Sequence, residues 1–302
     1  MAGQETFDAI IVGGSYAGLS CAMALGRSLR KTLVIDSGRP CNASTPHSHN
    51  FITQDGKTPK EITLAAREQL ELYDTVQLID DLVIGAEKAG AGFEIVTQKG
   101  GRFISEKLVF ATGIRDELPD IKGFADCWGI SIVHCPYCHG YEYRHRKTAI
   151  WAMGEMAFHL TSLVSNLTKD LTVLTNGKPV FTDEQLDKLK KHNIPIVESE
   201  IAGIEQKKGR LEHVVFKDGT KIAFDVLYAR LPFVQHTNLP ALLGCELNEQ
   251  GFLKVDNSQQ TTVPGVYACG DNASGMRSVA NAVAGGNMTG AMVNMELVKE
   301  RF

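Results

Sequence analysis

Twice along this chain an apolar strand runs into a turn of small residues and on into an apolar helix. That repeat limits the possible folds more than any other feature. The first copy comprises Phe7 to Val12, the turn Gly13-Gly14-Ser15-Tyr16-Ala17-Gly18, and a helical pattern through Leu25. A second strand, Thr32 to Ile35, then ends at Asp36 and Ser37. Strand, glycine turn, helix, strand and acid in that order are the layout of a dinucleotide site. Gly13 permits the tight turn, and Gly18 lets helix and strand pack closely. The helix N-terminus faces a pyrophosphate, and Asp36 suits a ribose hydroxyl. The middle glycine of G-x-G-x-x-G is replaced by Ser15, whose side chain is small enough to let phosphate approach the backbone. A lone glycine pattern also fits a plain α/β turn; the acid 23 residues beyond Gly13 favours the nucleotide reading.

The second copy is eroded. Thr148 to Trp151 is its strand, Ala152-Met153-Gly154-Glu155-Met156-Ala157 its turn, and an apolar helix follows through Leu167. Its first glycine is Ala152. Its next strand, Leu171 to Leu174, ends in Thr175-Asn176-Gly177, with neither a ribose-binding acid nor an arginine pair for a 2′-phosphate. Lys178 is the nearby cation, and one lysine is a thin phosphate clamp. The repeat predicts an α/β chain with two Rossmann-like, three-layer ββα dinucleotide-binding domains.

Just before the second copy stands His134-Cys135-Pro136-Tyr137-Cys138-His139-Gly140. Two cysteines two residues apart can close a small disulfide ring or ligate a metal. Zinc needs two further ligands, the chain has no second C-x-x-C, and six neighbouring residues rarely wrap four ligands around one ion. No metal is expected. Thiol exchange needs a thiolate, and an adjacent imidazole can hold or return its proton near neutral pH. A helix starting at the pair would lower the first thiol's pKa further. For His139 and His134 the alternative is a packing or helix-capping role.

The intervening sequence reads in simple pieces. Gly38 to Gly56 is a polar, irregular loop, too long for an idle connection, in which His47, His49 and Asn50 could line a cofactor; histidines simply solvated in a loop are the alternative. Glu61 to Tyr73 has an amphipathic helical pattern, and Thr75 to Phe110 alternates as a β-meander ending at Ala111-Thr112-Gly113. Hinges are expected near Leu118-Pro119 and Leu231-Pro232, a short helix from Glu184 to His192, and a hairpin from Val214 to Leu227 around Lys217-Asp218-Gly219. The last piece delivers Gly270 and Asp271 on a strand end, where an acid suits a flavin nucleotide's ribityl or phosphate region. A long Ala/Met/Gly-rich helix follows. Cys21, Cys127, Cys245 and Cys269 read as small buried residues; Cys41 lies in the polar loop.

Bulk composition narrows the class. With 302 residues the chain is long enough for about two domains. It is 43% hydrophobic and 22% charged, with a formal net charge of −4, which argues against nucleic acid or an anionic membrane as the main partner. The seven cysteines lack secreted-style pairing, and neither a signal segment nor a membrane span is legible. A reducing cytoplasm is the expected compartment.

The Gly13–Gly18 loop with Asp36, the Ala111-Thr112-Gly113 turn, Cys135-Pro136-Tyr137-Cys138 and the segment from Gly265 to Asp271 together resemble the low-molecular-weight thioredoxin reductase family of flavoproteins. The match runs nearly the whole chain in order. It implies FAD in a discontinuous domain formed by residues 1–115 and 234–302, with a central redox domain, 116–233, inserted between them. Under the resemblance the flavin site takes in the glycine loop, Asp36, Ser37, His49, Asn50, the Ala111–Gly113 turn, Gly270 and Asp271. The family's Arg-Gln-Ala near the flavin corresponds to Ala280-Asn281-Ala282. Cys138 would face the flavin, Cys135 would exchange with substrate, and the family is commonly a homodimer.

The departures decide the subtype. The eroded second turn, Thr175-Asn176-Gly177 in place of a basic run, and His139 in place of an acid are similar to the gliotoxin-type dithiol oxidase and pyridine-nucleotide-independent branch. The resemblance therefore implies an FAD-dependent thiol–disulfide oxidoreductase that uses NADPH poorly, with Cys135 and Cys138 exchanging and His139 and His134 as bases. Its partner would be a small dithiol or disulfide, or a thioredoxin-like protein. An NAD(P)H-dependent thioredoxin reductase and a flavin redox sensor without turnover are the alternatives, and an electron-carrier protein could also reduce the flavin.

Overall fold

The computed structural model describes residues 5–302. The chain divides into two compact units: one holds residues up to Ala43, Asn50–Arg115 and Phe233–Phe302, the other Ser44–His49 and Asp116–Pro232.

The first unit opens with β1 (Thr6–Val12), α1 (Tyr16–Arg27) and β2 (Thr32–Asp36), followed by α2 (Pro59–Leu70) and β3 (Val76–Asp80). Then come β4 (Val83–Ala89), β5 (Gly92–Thr97), β6 (Arg102–Phe110) and β7 (Ile114–Asp116). In the second unit lie α3 (Phe124–Cys127), β8 (Ile132–Val133), α4 (Pro136–His139), β9 (Thr148–Trp151), α5 (Gly154–Val164) and β10 (Leu171–Leu174). They are followed by α6 (Asp183–Lys191), β11 (Ile196–Val197), β12 (Ile201–Lys207), β13 (Arg210–Phe216), β14 (Lys221–Ala223) and β15 (Val226–Ala229). The chain returns to the first unit with β16 (Phe233–Gln235), α7 (Leu239–Leu242), β17 (Val266–Ala268) and α8 (Val279–Arg301).

In the first unit the sheet order is β3-β2-β1-β6-β5-β4, and β17 also pairs with β6. β1 is central because its apolar run is covered on both faces, as parallel strands require. Ile10 pairs in parallel with Leu33 on one side and Leu108 on the other. The register brings Val12, Ile35 and Phe110 to one sheet edge, where the turns that follow β1, β2 and β6 cluster. One core lies between the sheet and helices α1 and α8; another, with Phe93, Ile95 and Leu253, covers the opposite face. Only β4, β5 and β6 form the expected meander; Val76–Asp80 is instead an edge strand parallel to β2. Its position follows the tight return from α2, which lays the strand beside β2.

Helix α8 approaches α1 through glycines. A Cβ on Gly286 would come 2.0 Å from the Ala17 carbonyl oxygen, and one on Gly290 2.6 Å from that of Cys21. The same helix is pinned to β6 by Lys107, buried, whose ammonium bonds Glu296 and Glu300 at 2.7 Å each. Burial alone would lower that lysine's pKa, but the two carboxylates outweigh it and raise it.

The second unit repeats the plan: a parallel sheet ordered β11-β10-β9-β15-β8 and an antiparallel sheet β12-β13-β14. Phe124, Val214, Phe216 and Leu227 fill the core between the two sheets, while Ala157, Leu160 and Leu189 cover the helical face. These are the sheet, sheet and helix layers of a ββα domain. The expected hairpin ends at Ala223; Val226–Ala229 leaves it and pairs in parallel with β9 and β8. Its four residues are all buried, which only a central strand allows. Among the described residues, no helix is long and apolar enough to cross a membrane.

Candidate active site

The three turns clustered at the edge of the first sheet make a close-fitting cradle. Gly13 has φ +106°, and a Cβ there would lie 2.3 Å from the Ala111 carbonyl oxygen, so the glycine turn rests directly on the Ala111–Thr112 backbone. Gly270, φ +86°, comes against Ala17 from the third side. The N–H of Gly14 donates to Asp36 Oδ1 at 3.1 Å, while Arg67 reaches the other carboxylate oxygen at 3.4 Å. Ser15, at the N-cap of α1, makes no side-chain cap, and the first turn of the helix carries no acid. The positive end of that helix is therefore left to an external anion. Ser37 is exposed at the exit of β2.

Further around the cradle, Asn272 is fully buried, and its amide donates to the Phe110 carbonyl at 2.8 Å and to Thr112 Oγ1 at 3.3 Å. Its Oδ1 is buried without a hydrogen-bond partner among the described residues, as expected where a ligand donor completes the site. Asp271 accepts from the Cys41 thiol at 3.7 Å and lies 3.6 Å from Arg277 Nε. Asn281 staples the preceding loop by donating to Ser274 Oγ at 3.2 Å and to the Met276 carbonyl at 2.9 Å, while Ala282 is buried in the core beneath. Asn50, with φ +59°, donates its N–H to Asp55. Glycine cradle, uncapped helix end, ribose-directed acid and orphaned amide oxygen together fit a dinucleotide such as FAD. The segment Ser44–His49, with His49, groups with the second unit.

There the two cysteines come together. Cys135 and Cys138 are disulfide-bonded, with Cα atoms 5.3 Å apart. Cys135 is the N-cap of α4, and its sulfur accepts from the Cys138 N–H at 3.2 Å. The helix is one turn long, so that local hydrogen bond, rather than an accumulated dipole, is what favours a thiolate at Cys135. His139 ends the turn. Burial, reinforced by the charge of His49 nearby, pushes its imidazole down to about 4, so it is neutral at neutral pH. His134 packs against Trp128, ring centroids 6.1 Å apart. His49 Nδ1 lies 3.6 Å from Glu142 Oε1. Sequence reasoning missed Glu142, Asn272 and Arg277; the first two stand three residues after His139 and next to Asp271, the nearest thing to a signal.

The second glycine turn is arranged differently from the first. α5 carries Glu155 in its first turn, held by Gln185 Nε2 at 2.5 Å. At the end of β10, Asn176 Oδ1 accepts from the Ile201 N–H at 2.7 Å, and Thr175 Oγ1 donates to the Gly177 carbonyl at 2.6 Å.

The chain belongs to the pyridine nucleotide-disulphide oxidoreductase family, whose model matches residues 7–286. It is 33% identical to the thioredoxin reductase tcpT of Claviceps purpurea (strain 20.1), over 99% of this chain and 97% of that protein. With the thioredoxin reductase aclD of Aspergillus oryzae it shares 32% identity over 96% of each. The crystal structure of the oxidoreductase from Agrobacterium tumefaciens superposes with a TM-score of 0.91 at 36% identity, covering 98% of this chain and 99% of that one. The resemblance to thioredoxin-reductase-like flavoproteins stands, and with it a flavin-dependent oxidoreductase of Rossmann type. The family implies FAD.

Proposed function

We propose that this protein is an FAD-dependent thiol–disulfide oxidoreductase in which Cys135 and Cys138 exchange with a substrate dithiol, and which uses NADPH poorly. The contrast between its two helix ends carries the reading. α1 leaves its N-terminus open and Asp36 beside it, whereas α5 fills its own with the carboxylate of Glu155, and Asn176 spends its side chain on the backbone. A pyrophosphate approaching α5 would meet like charge, and Lys178 is the cation next in sequence to that strand end, a thin clamp for a 2′-phosphate. Each charge-assisted hydrogen bond forgone costs about 1.5–3 kcal/mol.

In the forward step, a substrate thiolate bonds to Cys135 and Cys138 departs as a thiolate, in keeping with a family geometry in which Cys138 is the flavin-side sulfur. A second substrate thiol resolves the mixed disulfide. His139, neutral and half-buried, takes a proton from the incoming thiol, with His134 in support. FAD, when bound, supplies the two-electron acceptor that reoxidises the pair. The cradle residues Gly13–Gly18, Asp36, Ala111–Gly113, Gly270 and Asp271 bind and orient it. The substrate is a small dithiol or a thioredoxin-like protein, and the compartment a reducing cytoplasm. The family's description and the names of its relatives favour a second reading, an NAD(P)H-dependent thioredoxin reductase.

A homodimer is part of the proposal. Ala284, Met288, Ala291, Met295 and Val298 are exposed on α8 at alternating four- and three-residue intervals, opposite the face packed on α1. Such a seam suits a second copy of the same helix across a two-fold axis.

The deciding experiment mixes FAD-loaded protein anaerobically with NADPH, NADH and a small dithiol in turn, following the flavin's visible absorbance. Bleaching by the dithiol alone, with peroxide on readmitting air, supports a dithiol oxidase. Rapid bleaching by micromolar NADPH rejects that reading in favour of the reductase. A flavin that responds once but never turns over points to a redox sensor.

A further inference from the structure

We propose that Arg230 sets the specificity of the thiol-exchange site by binding the carboxylate of a small dithiol that carries one, an assignment that rests on the thiol-exchange reading of Cys135 and Cys138.

The register of the second unit's parallel sheet places the parts. β15 runs between β8 and β9, parallel to both. Tyr228 is level with Val133 on one side and with Ile150 on the other. Two positions beyond that row, the chain leaving β8 has reached Cys135 and the chain leaving β15 has reached Arg230. The chain leaving β9 has reached Ala152, where the worn glycine turn begins. The disulfide turn and the glycine turn therefore emerge from one edge of the sheet, with Arg230 on the strand between them. Neighbouring strands lie about 5 Å apart, within reach of an arginine side chain. This is the carboxyl edge of a parallel sheet, where open α/β sheets take their ligands.

The strands that flank Arg230 are tied together by aromatic packing. His134 stands against Trp128 with ring centroids 6.1 Å apart, Trp128 stacks on Phe124 at 6.1 Å, and Phe124 meets Trp151 edge-on at 5.5 Å. The other polar groups at this edge are already engaged. Glu155 is held by Gln185, Asn176 accepts from the Ile201 N–H, and Thr175 donates to the Gly177 carbonyl. Arg230 differs. It is exposed, and its guanidinium makes no hydrogen bond, ion pair or ring contact among the described residues.

A guanidinium presents a planar fork of N–H donors that matches one carboxylate. A pyrophosphate needs more donors than one fork supplies and would meet Glu155 at the start of α5. Met153, 49% exposed in the glycine turn, offers an adaptable apolar contact to the carbon chain of the substrate. With its carboxylate on Arg230, the dithiol brings its sulfurs to the neighbouring strand end. One substrate thiolate bonds to Cys135 Sγ, the Cys135–Cys138 bond breaks, and the electron pair leaves on Cys138. The second substrate thiol then displaces Cys135. The substrate ends as a cyclic disulfide and the cysteine pair as two thiols. Arg230 forms none of these bonds and acts on affinity.

The test compares dihydrolipoate with dihydrolipoamide, which share one dithiol and differ in a carboxylate against a neutral amide. FAD-loaded protein is mixed anaerobically with each, quenched with an alkylating agent, and the Cys135–Cys138 peptide analysed by mass. The parent should reach half its limiting rate at an acid concentration about tenfold lower than for the amide, as one charge-assisted contact allows. The two limiting rates should agree. Arg230→Gln should bring the half-saturating concentrations to within about twofold of each other, by weakening the acid and sparing the amide. Arg230→Lys should keep part of the preference, since it holds the charge without the fork. Raising the salt to about 0.5 M should narrow the gap in the parent and leave Arg230→Gln unmoved. A parent that treats the two dithiols alike would overturn the assignment, as would a preference that survives Arg230→Gln. An equal loss with both dithiols would also overturn it, because Arg230 would then act on the exchanging sulfurs. If neither dithiol reduces the parent disulfide, the thiol-exchange reading falls and the assignment with it.

Discussion

The Gly14 N–H donates to Asp36 Oδ1 at 3.1 Å, joining the glycine turn to the acid that ends the next strand 22 residues later. The turn thus holds the carboxylate in place, and Arg67 steadies its second oxygen. Asp36→Ala removes a charge-assisted acceptor worth about 1.5–3 kcal/mol and should weaken FAD binding roughly 10- to 100-fold. Titrating apoprotein with FAD and following flavin fluorescence measures it. An unchanged dissociation constant would remove Asp36 from the site.

Helix α8 depends on the absence of side chains where it crosses α1. Gly286→Ala would set a methyl group 2.0 Å from the Ala17 carbonyl oxygen, so the helices must separate. Overpacking of this kind costs about 1–3 kcal/mol. Because Ala17 lies in the nucleotide turn, thermal stability and FAD retention should fall together. Loss of one without the other would mean that the helix contact and the cradle are independent.

His139 gives stability a pH dependence of definite sign. Its imidazole titrates at the usual 6.5 when unfolded but at about 4 when folded, through burial and then the charge of His49. Between those values the unfolded chain binds the extra proton, so stability is complete above pH 6.5 and declines as the pH falls through the window. From pH 7 to pH 5 the loss should be roughly 2 kcal/mol. Urea midpoints at the two pH values should differ more in the parent than in His139→Gln; equal differences would contradict a neutral imidazole at this position.

The exposed seam on α8 makes a prediction about assembly. Met295→Glu places a charge within the stripe without touching the face packed on α1. Sedimentation should then shift from dimer to monomer at micromolar concentration, with FAD content unchanged. A parent protein that is monomeric, or a variant that remains dimeric, would remove this face from any interface.

Much of the fold is legible because its signals are local. Fully apolar strands announce buried parallel positions, and small residues after β1 and β9 announce the turns. The limits of that reading are equally physical. Alternation in Val76–Asp80 looks the same in a meander as on a parallel edge, and Val226–Ala229 looks the same in a hairpin as in a central strand. Only the partner strand distinguishes them. The close approach of the first glycine turn was largely readable, since glycines and an acid at fixed spacing mean close backbone contact. Asn272 and Arg277 carry no such spacing and were not.

The sequence by itself determined two glycine-turn units, the first nearly complete and the second worn, with a cysteine pair between them, because these depend on residues adjacent along the chain. Tertiary structure alone decided that Ser44–His49 groups with the second unit and sets His49 beside Glu142, and that Asn176 is spent on Ile201. A polar side chain has no period to betray its partner. Its neighbour is chosen when packing of the apolar core brings distant segments together, and that choice is made in three dimensions.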